Sequence, residues 1–373
     1  MTDRVKLAMS KLWKEMPWLI ALAIIIAGLI KPDVLPWLVV IAVPLKFYFS
    51  PRRGLIGPVE LPADDAYLPD EQVQWWYWTG HLFTENGRRF GFEVVFFTFD
   101  NFSIFRDQLV QAAITDVTEG SFTFEEFIRF YPPKRTKNCF DLSSGSDKKV
   151  TAKGGNGVDK LHGEVGKYVF DVELKSTKPV AMHYGGDAHP YRFGGYTYYY
   201  SRPHMETSGT LTIDGTPHKV SGVTWFDRQY GELTQAMFKG WQWFAIELDD
   251  DRQYMLFDFL GDGKDASVEK SGSVTDAAGQ TRTLAAHEFQ VKILGHWKSP
   301  HSGANYPSGW EVTVEVQTFA VQPLVKDQEL HDKPDDGKPW IGVYWEGACD
   351  VTGAVSGKAY VELNGFTSPI QVR

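Results

Sequence analysis

From Glu71 onward, the chain is a succession of short apolar or alternating runs that turn residues separate. Alternation with a period of two is typical of strands that bury one face. The runs are GRRFGFEVVFFTF, HGEVGKYVFDVELKS, SGTLTIDGTPHKVSGVTWF, WFAIELDDDRQYMLFDFL, WEVTVEVQTF and GKAYVELNGF. Turns are predicted at Glu85-Asn86-Gly87, Asp214-Gly215 and Asp249-Asp250-Asp251. The pattern predicts an all-β barrel or sandwich, in which only a few short stretches such as Ser103 to Ile114 could be helical.

A weak internal repeat divides this β-rich part in two. Trp76-Tyr77-Trp78 and Trp241-Gln242-Trp243 each begin a strand that turns on acidic or Asn-Gly residues and returns on an aromatic strand. Self-similarity of this kind indicates repeated structural units. We therefore predict two β domains, at residues 71–233 and 234–373, preceded by a Pro-, Gly- and Asp-rich linker at residues 51–70.

Residues 1–50 have a different pattern, with two apolar halves, Trp18 to Ile30 and Val34 to Leu45. Because a membrane span needs about 20 apolar residues, each half alone is short. One interpretation is a single anchor or an uncleaved signal over Trp18 to Leu45, with Lys31 and Asp33 near mid-membrane. The other is a hairpin of two short helices with these charges at an interface, and the basic residues on both flanks favour it. Both interpretations predict attachment to an inner or plasma membrane, with a cytoplasmic location of the β-rich part slightly favoured.

The composition narrows the function. The chain is 43% hydrophobic and 14% aromatic, with 13 Trp, so a full core is possible. Its net charge of -9 argues against nucleic-acid binding, which requires a basic patch. The sequence contains no GxGxxG, phosphate-binding loop or GxSxG motif, and its ten histidines have no metal-site spacing. We therefore predict no cofactor and no metal ion. The aromatic strands and the apolar halves of residues 1–50 predict an apolar small molecule and the membrane as partners.

The first candidate for chemistry is Asp227, in VTWFDRQYGE. In a strand, Trp225 and Asp227 point to the same side. A carboxyl beside ring faces loses solvation and holds its proton more tightly, which is what a general acid near neutral pH requires. The alternative is that Asp227 pairs with Arg228 or another arginine and only closes a turn.

The second candidate is an alternating tyrosine run, in which Tyr196, Tyr198 and Tyr200 share one face. Their rings and hydroxyls could hold a cationic or polyene ligand, although a tyrosine ladder in the core would have the same pattern. The other residues predicted to bind substrate are Trp76, Trp78, His81, Arg202 and Tyr230. Arg202 could instead pair with Asp227, and His81 could be a satisfied barrel histidine.

Several of these motifs resemble the carotenoid 1,2-hydratase and AttH-like lipocalin-like family. The resemblance covers roughly residues 70 to 366. The motifs that carry it are EQVQWWYWTGHL, GRRFGFEVVFF, YYYSRPHMETSGTLTIDG, VTWFDRQYGE, GWQWFAIELDDDRQYMLFDF, HWKSPHSGANYPSGW and YWEGACDVTGAVSGKAYVELNG. The family's fold implies two tandem lipocalin-like β-barrel domains here.

The resemblance also implies a role for Asp227. In the hydratases of this family, an aspartate protonates a terminal isoprenoid double bond and water adds to the resulting cation. The motif around that aspartate resembles Trp225-Phe226-Asp227. Where the hydratases have a His-x-Trp pair, Tyr198 and Tyr200 are assigned here, so the predicted catalytic set is Asp227, Trp225, Tyr198 and Tyr200.

The resulting expectation is a membrane-attached, hydratase-like enzyme with a pocket near the junction of the two barrels. A non-catalytic lipid- or carotenoid-binding protein would need the same pocket but no acid. A cyclase or isomerase of an apolar chain is the third possibility, because a cavity of this kind could fold a flexible substrate.

Overall fold

A computed structural model describes residues 57–99, 107–233, 240–261, 267–331 and 343–366. The all-β prediction is confirmed there, since the only helices in these ranges are short 3-10 helices at Ala63–Asp65 and His183–Gly186. The predicted membrane segment lies outside these ranges. Within them, no helix combines the length and the apolarity that crossing a bilayer requires.

Twenty-four strands build the described part of the chain. Those of the first sheet are β1 (Val73–Thr84), β2 (Arg89–Phe99), β3 (Asp107–Asp116), β4 (Ser121–Arg129), β5 (Phe140–Ser143), β6 (Val150–Gly155), β7 (Val158–Val165), β8 (Tyr168–Ser176), β9 (Ala181–Met182), β10 (His189–Pro190), β11 (Tyr196–Ile213) and β12 (Thr216–Glu232). The strands that follow are β13 (Trp241–Leu248), β14 (Gln253–Leu260), β15 (Ser267–Thr275), β16 (Thr281–Leu284), β17 (Phe289–Ile293), β18 (His296–Lys298), β19 (Asn305–Pro307), β20 (Trp310–Val314), β21 (Gln317–Pro323), β22 (Glu329–Leu330), β23 (Tyr344–Gly353) and β24 (Gly357–Asn364).

The two large sheets are barrel-like, and all pairing is antiparallel. The first has the order β4-β3-β2-β1-β12-β11-β8-β7-β6-β5, with β9 and β10 also paired to β11. It curls until β3 and β4 approach β6 and β7, so the barrel is nearly closed. The second has the order β16-β15-β14-β13-β24-β23-β21-β20-β17, with β22 on β23, and forms a half-barrel. The remaining two strands, β18 and β19, form a separate hairpin.

The predicted turns are present, but the possible helix at Ser103 to Ile114 is wrong where the structure describes it. Residues 107–116 form β3, a strand buried at every position. Because both faces of β3 are covered, its sequence DQLVQAAITD lacks the apolar-polar alternation that normally indicates a strand. A glycine inside a strand can mark a break or a bulge, but β1 continues through Gly80. Gly80 instead permits close pairing, because a Cβ there would lie 2.5 Å from the carbonyl oxygen of Val223.

The interior of the first barrel is filled by aromatic rings and a buried ion pair. Arg202 donates to both carboxylate oxygens of Asp65 at 2.8 Å. Tyr200 donates to the same carboxylate at 2.6 Å. Asp65 belongs to residues 57–70, within the predicted linker, where Val59 and Tyr67 also pack into this core. The segment therefore supplies the counter-ion of a buried guanidinium.

The outer face of the first barrel packs against the second sheet through a separate aromatic cluster. Tyr77, Trp225 and Trp243 lie in this cluster, together with the Phe257 and Phe259 rings. At one end the two sheets nearly touch, because a Cβ on Gly91 of β2 would lie 2.5 Å from the Cβ of Ala348 on β23. The gap between the sheets is therefore closed at the level of Gly91.

Asp65 is expected to be essential for stability, because removing one partner of a buried ion pair leaves the other charge uncompensated. Asp65→Ala should lower the free energy of unfolding by about 3–5 kcal/mol in urea titrations. Lys160→Ala, which breaks an exposed pair with Glu173, is the control and should change it little. A loss of similar small size in both variants would contradict the structural role of Asp65.

Candidate active site

A cavity opens between the two sheets, away from the close approach at Gly91. The space that it encloses, including its open mouth, is about 720 Å³. Most of its wall is aromatic or aliphatic. The lining residues are Trp75, Tyr77, Val95, Phe97, Gln111, Tyr199, Asp227, Gln229, Leu233, Trp241, Trp243, Phe257, Phe259, Tyr344, Glu346, Glu362 and Asn364.

Asp227 reaches this cavity because of the alternation of side chains along β12. Trp225, Asp227 and Gln229 point outward from the first barrel, whereas Phe226 belongs to its interior core. On the neighbouring strand β11, Ser201 is the direct cross-strand partner of Asp227. Tyr199 lies two residues earlier on the same face, so three adjacent side chains meet beside the cavity.

Asp227 is buried, and both of its carboxylate oxygens accept hydrogen bonds. The Tyr199 hydroxyl donates to Oδ2 at 2.5 Å, and the Trp225 indole donates to Oδ1 at 2.7 Å. The Ser201 hydroxyl also donates to Oδ1. No arginine is among these partners, and the side chain of Arg228 instead donates to the backbone oxygens of Asp64 and Ala66. The alternative in which Asp227 closes an arginine pair is therefore wrong.

Burial raises the pKa of Asp227 from 3.8 to about 7. The hydrogen bonds from Ser201, Tyr199 and Trp225 act in the opposite direction and lower this pKa, because they stabilise the carboxylate. Desolvation is the larger effect. The result is a carboxyl that exchanges its proton near neutral pH, the property that a general acid needs.

A second layer of contacts fixes the donors of Asp227 to the second sheet. The Trp243 indole donates to the Tyr199 hydroxyl at 3.0 Å. His183 Nε2 lies 2.6 Å from the Ser201 hydroxyl, and its Nδ1 lies 2.9 Å from that of Ser273. Burial lowers the pKa of His183 to about 3, so this ring is neutral and bridges the two hydroxyls. The acid is thus held by side chains from both sheets.

Three buried glutamates lie near the cavity and were not predicted from the sequence. Glu346 and Glu362 are direct cross-strand neighbours on β23 and β24, and both line the cavity. Glu93 faces the same inter-sheet space from β2. Burial raises the pKa of all three, to about 8 for Glu93. Each lies inside an apolar run, and an isolated acid in such a run was the signal that could have identified it.

The structure does not bring most of the predicted site residues to Asp227. Tyr198 and Tyr200 point into the first barrel, because the cavity face of β11 carries Tyr199 and Ser201, one residue out of phase with the prediction. Trp76, Trp78 and Tyr230 also lie in the barrel interior. Tyr198, Tyr200 and Trp78 therefore lie on the face of the sheet opposite to the cavity, whereas Trp225 lies on the same side as Asp227, as predicted.

Arg202 and His81 also lie away from Asp227 and contact other residues. Arg202 pairs with Asp65 rather than with Asp227. The Nε2 atom of His81 lies 3.1 Å from the carbonyl oxygen of Ala359, near the closed end of the gap. Burial, followed by the charge of Arg89, lowers the pKa of His81 to about 3, so its ring is neutral. Across the described ranges, no cluster of His, Cys, Asp and Glu side chains could hold a metal ion.

Comparison with known proteins gives a family match and similar folds. The family model described as AttH-like matches residues 53–366. An AttH structure from Nitrosomonas europaea aligns with a TM-score of 0.74 at 24% identity, covering 84% of this chain and 99% of that one. Kievitone hydratase from Nectria haematococca aligns with a TM-score of 0.63 at 16% identity, covering 86% and 96%. No curated protein matches the chain in sequence.

The raised pKa of Asp227 has a consequence for stability. Between about pH 4 and pH 7, folded Asp227 binds a proton that the unfolded chain has released, so the wild type loses stability as the pH rises through this window. Asp227→Asn removes this loss. In urea titrations, the difference in unfolding free energy, wild type minus variant, should fall by up to about 4 kcal/mol across the window. A difference that does not change with pH would contradict the assigned burial effect.

Proposed function

This chain belongs to the AttH-like family, as its motifs predicted, and on that premise we propose that it is a hydratase-like enzyme. The proposed reaction adds water to a carbon–carbon double bond of an apolar isoprenoid or lipid, with Asp227 as the general acid. The observation that carries the proposal is one carboxyl with a pKa near 7 at the wall of a cavity lined mainly by aromatic rings. The kievitone hydratase fold adds support, because this architecture is used by a protein named for hydration.

The proposed steps use the geometry around Asp227. The acid donates its proton to one alkene carbon, whose π electrons form the new C–H bond, and positive charge develops on the other carbon. The faces of Tyr77 and Trp243 lie in the same wall and can stabilise that charge. The oxygen of a water molecule then forms the C–O bond, and the proton that this water releases restores the acid form of Asp227. General acid catalysis of this kind typically contributes roughly 10²–10⁴-fold.

Tyr199 and Ser201 are positioning residues in this scheme. Both donate to the Asp227 carboxylate, and Trp243 in turn donates to Tyr199. These bonds fix the direction of the carboxyl and keep its pKa from rising further. The proposed site therefore combines a desolvated acid with donors that set the pH at which it releases its proton.

Membrane attachment through residues 18–45 is part of the proposal. Their two apolar halves are consistent with an anchor or a hairpin. A substrate of isoprenoid type partitions into lipid, so attachment would place the enzyme where its substrate concentrates.

A lipid-binding protein without catalysis is the second candidate. It is favoured by the hydrogen bonds at Asp227, because three side chains already occupy its two oxygens. In that case, a bound lipid would leave the purified protein chemically unchanged. Mass spectrometry of ligands before and after incubation separates the candidates, since hydration adds one water, whereas isomerisation or cyclisation adds none.

Asp227→Asn is expected to reduce turnover by roughly 10²–10⁴-fold while the protein remains folded, because the amide cannot donate the catalytic proton. Turnover is measured as hydrated product by mass spectrometry, and folding by circular dichroism. Asp258→Asn, a substitution in the second sheet outside the cavity lining, is the matched control and should retain turnover. Full activity of the Asp227 variant would remove the assignment.

Tyr199→Phe is expected to move the pH profile. Activity should fall as the pH rises through about 7, where Asp227 loses its proton. Removing the Tyr199 donor destabilises the carboxylate, so the variant should lose activity only at higher pH. Tyr198→Phe, one residue earlier and inside the barrel, is the control and should keep the wild-type profile. A profile that moves equally in both variants would argue for a general structural effect.

A further inference from the structure

The cavity contains several acids and no base among its described lining residues. Every ionisable side chain in that part of the wall is a carboxyl or a phenol. These side chains are Tyr77, Tyr199, Asp227, Tyr344, Glu346 and Glu362. The electrostatic potential of such a wall favours positive charge in the space that it encloses.

Glu346 indicates where that charge is best placed. It is 1% exposed and lines the cavity, and its Oε1 atom has no hydrogen-bond partner within the described residues. Its cross-strand neighbour is Glu362, so two carboxyls stand side by side on the second sheet. Burying an unpartnered polar atom is costly. A positively charged group in the cavity would remove this cost for Glu346 and compensate both carboxyls at once.

Aromatic rings complete the surroundings of the two glutamates. Trp243 of β13 is the direct cross-strand partner of Glu362 on β24, and Phe257 of β14 pairs with Trp243 from the other side. Tyr77 of the first sheet meets Trp243 edge-on, with ring centroids 5.4 Å apart. Ring faces beside carboxylates form the combination that recognises organic ammonium groups in proteins.

We propose that the inner part of this cavity is a binding site for an organic cation, an ammonium group on an apolar body, with Glu362 and Glu346 as its counter-ions. This site goes beyond the proposed function and does not depend on it, because Glu362 keeps its own proton at the pH where Asp227 acts as an acid.

The proposal has a defined dependence on pH. The groups that face the two glutamates from the surrounding strands are acidic or phenolic. They are Glu93 on β2, Asp227 on β12, Tyr77 on β1, Tyr344 on β23 and Tyr360 on β24. Burial raises the pKa of Glu362 to about 8, although a hydrogen bond from Trp241 lowers it in part, and the charge of Asp227 also raises it. Since a cation binds the ionised form, affinity should increase as the pH rises through this value.

Two nearly isosteric probes test the site, phenyltrimethylammonium and neutral tert-butylbenzene, by titration calorimetry on the full chain. Between about pH 6 and pH 9, the affinity of wild type for the ammonium should rise at least tenfold, whereas that for tert-butylbenzene should stay within about twofold. At the higher pH, Glu362→Gln and Glu346→Gln should each weaken ammonium binding about tenfold or more and leave tert-butylbenzene binding unchanged.

Glu311→Gln, which removes the same charge from an exposed strand position paired with Lys292, is the control and should bind both probes as wild type does. Equal weakening of both probes by Glu362→Gln would indicate a packing role and overturn the cation site. If the glutamate variants do not fold, the wild-type pH comparison decides alone, and an ammonium affinity that is flat or falls with pH overturns the proposal. If the wild type keeps its selectivity for the ammonium probe but hydrates no alkene, only the proposed function is refuted.

Discussion

The structure depends on one constraint: the central strands of the first sheet are buried on both faces. Side chains of a strand alternate between faces, so each residue in the buried parts of β11 (residues 196–203) and β12 (residues 224–231) faces either the barrel interior or the second sheet. The interior face carries the Asp65–Arg202 pair and its tyrosines. The other face carries Tyr199, Ser201 and Asp227. A shift of one residue would exchange these sets, which would bury the acid in the barrel and bring the arginine into the cavity.

Burial of both faces also explains which features of the structure could be predicted from the sequence and which could not. The all-β class and the shared face of Trp225 and Asp227 followed from period-two alternation, and the turns followed from their Asn-Gly, Asp-Gly and Asp-rich residues. Alternation could not show which tyrosines of the run face the cavity, because Tyr198, Tyr199 and Tyr200 are chemically alike and all buried. Polar and apolar faces cannot be told apart in such a run, and the assignment to Tyr198 and Tyr200 was displaced by one position.

The missed glutamates have a different physical origin. Glu346 and Glu362 reach Asp227 only because the second sheet folds onto the first, more than a hundred residues later in the chain. Contacts at that separation leave no local periodic signal. Burial raises the pKa of both glutamates, and the like charge of a neighbouring carboxylate raises it further, so the acids resist joint ionisation. The site is therefore set by the pairing of the sheets as much as by the motif that contains Asp227.

The close approach of Gly91 to Ala348 limits the separation of the two sheets at the end of the gap away from the cavity. Phe97 at the cavity wall is six residues farther along β2, which corresponds to about 20 Å. A side chain at position 91 would meet the Cβ of Ala348 at 2.5 Å and would push the two sheets apart. The width of the cavity therefore depends in part on the absence of a side chain at a position that does not line it.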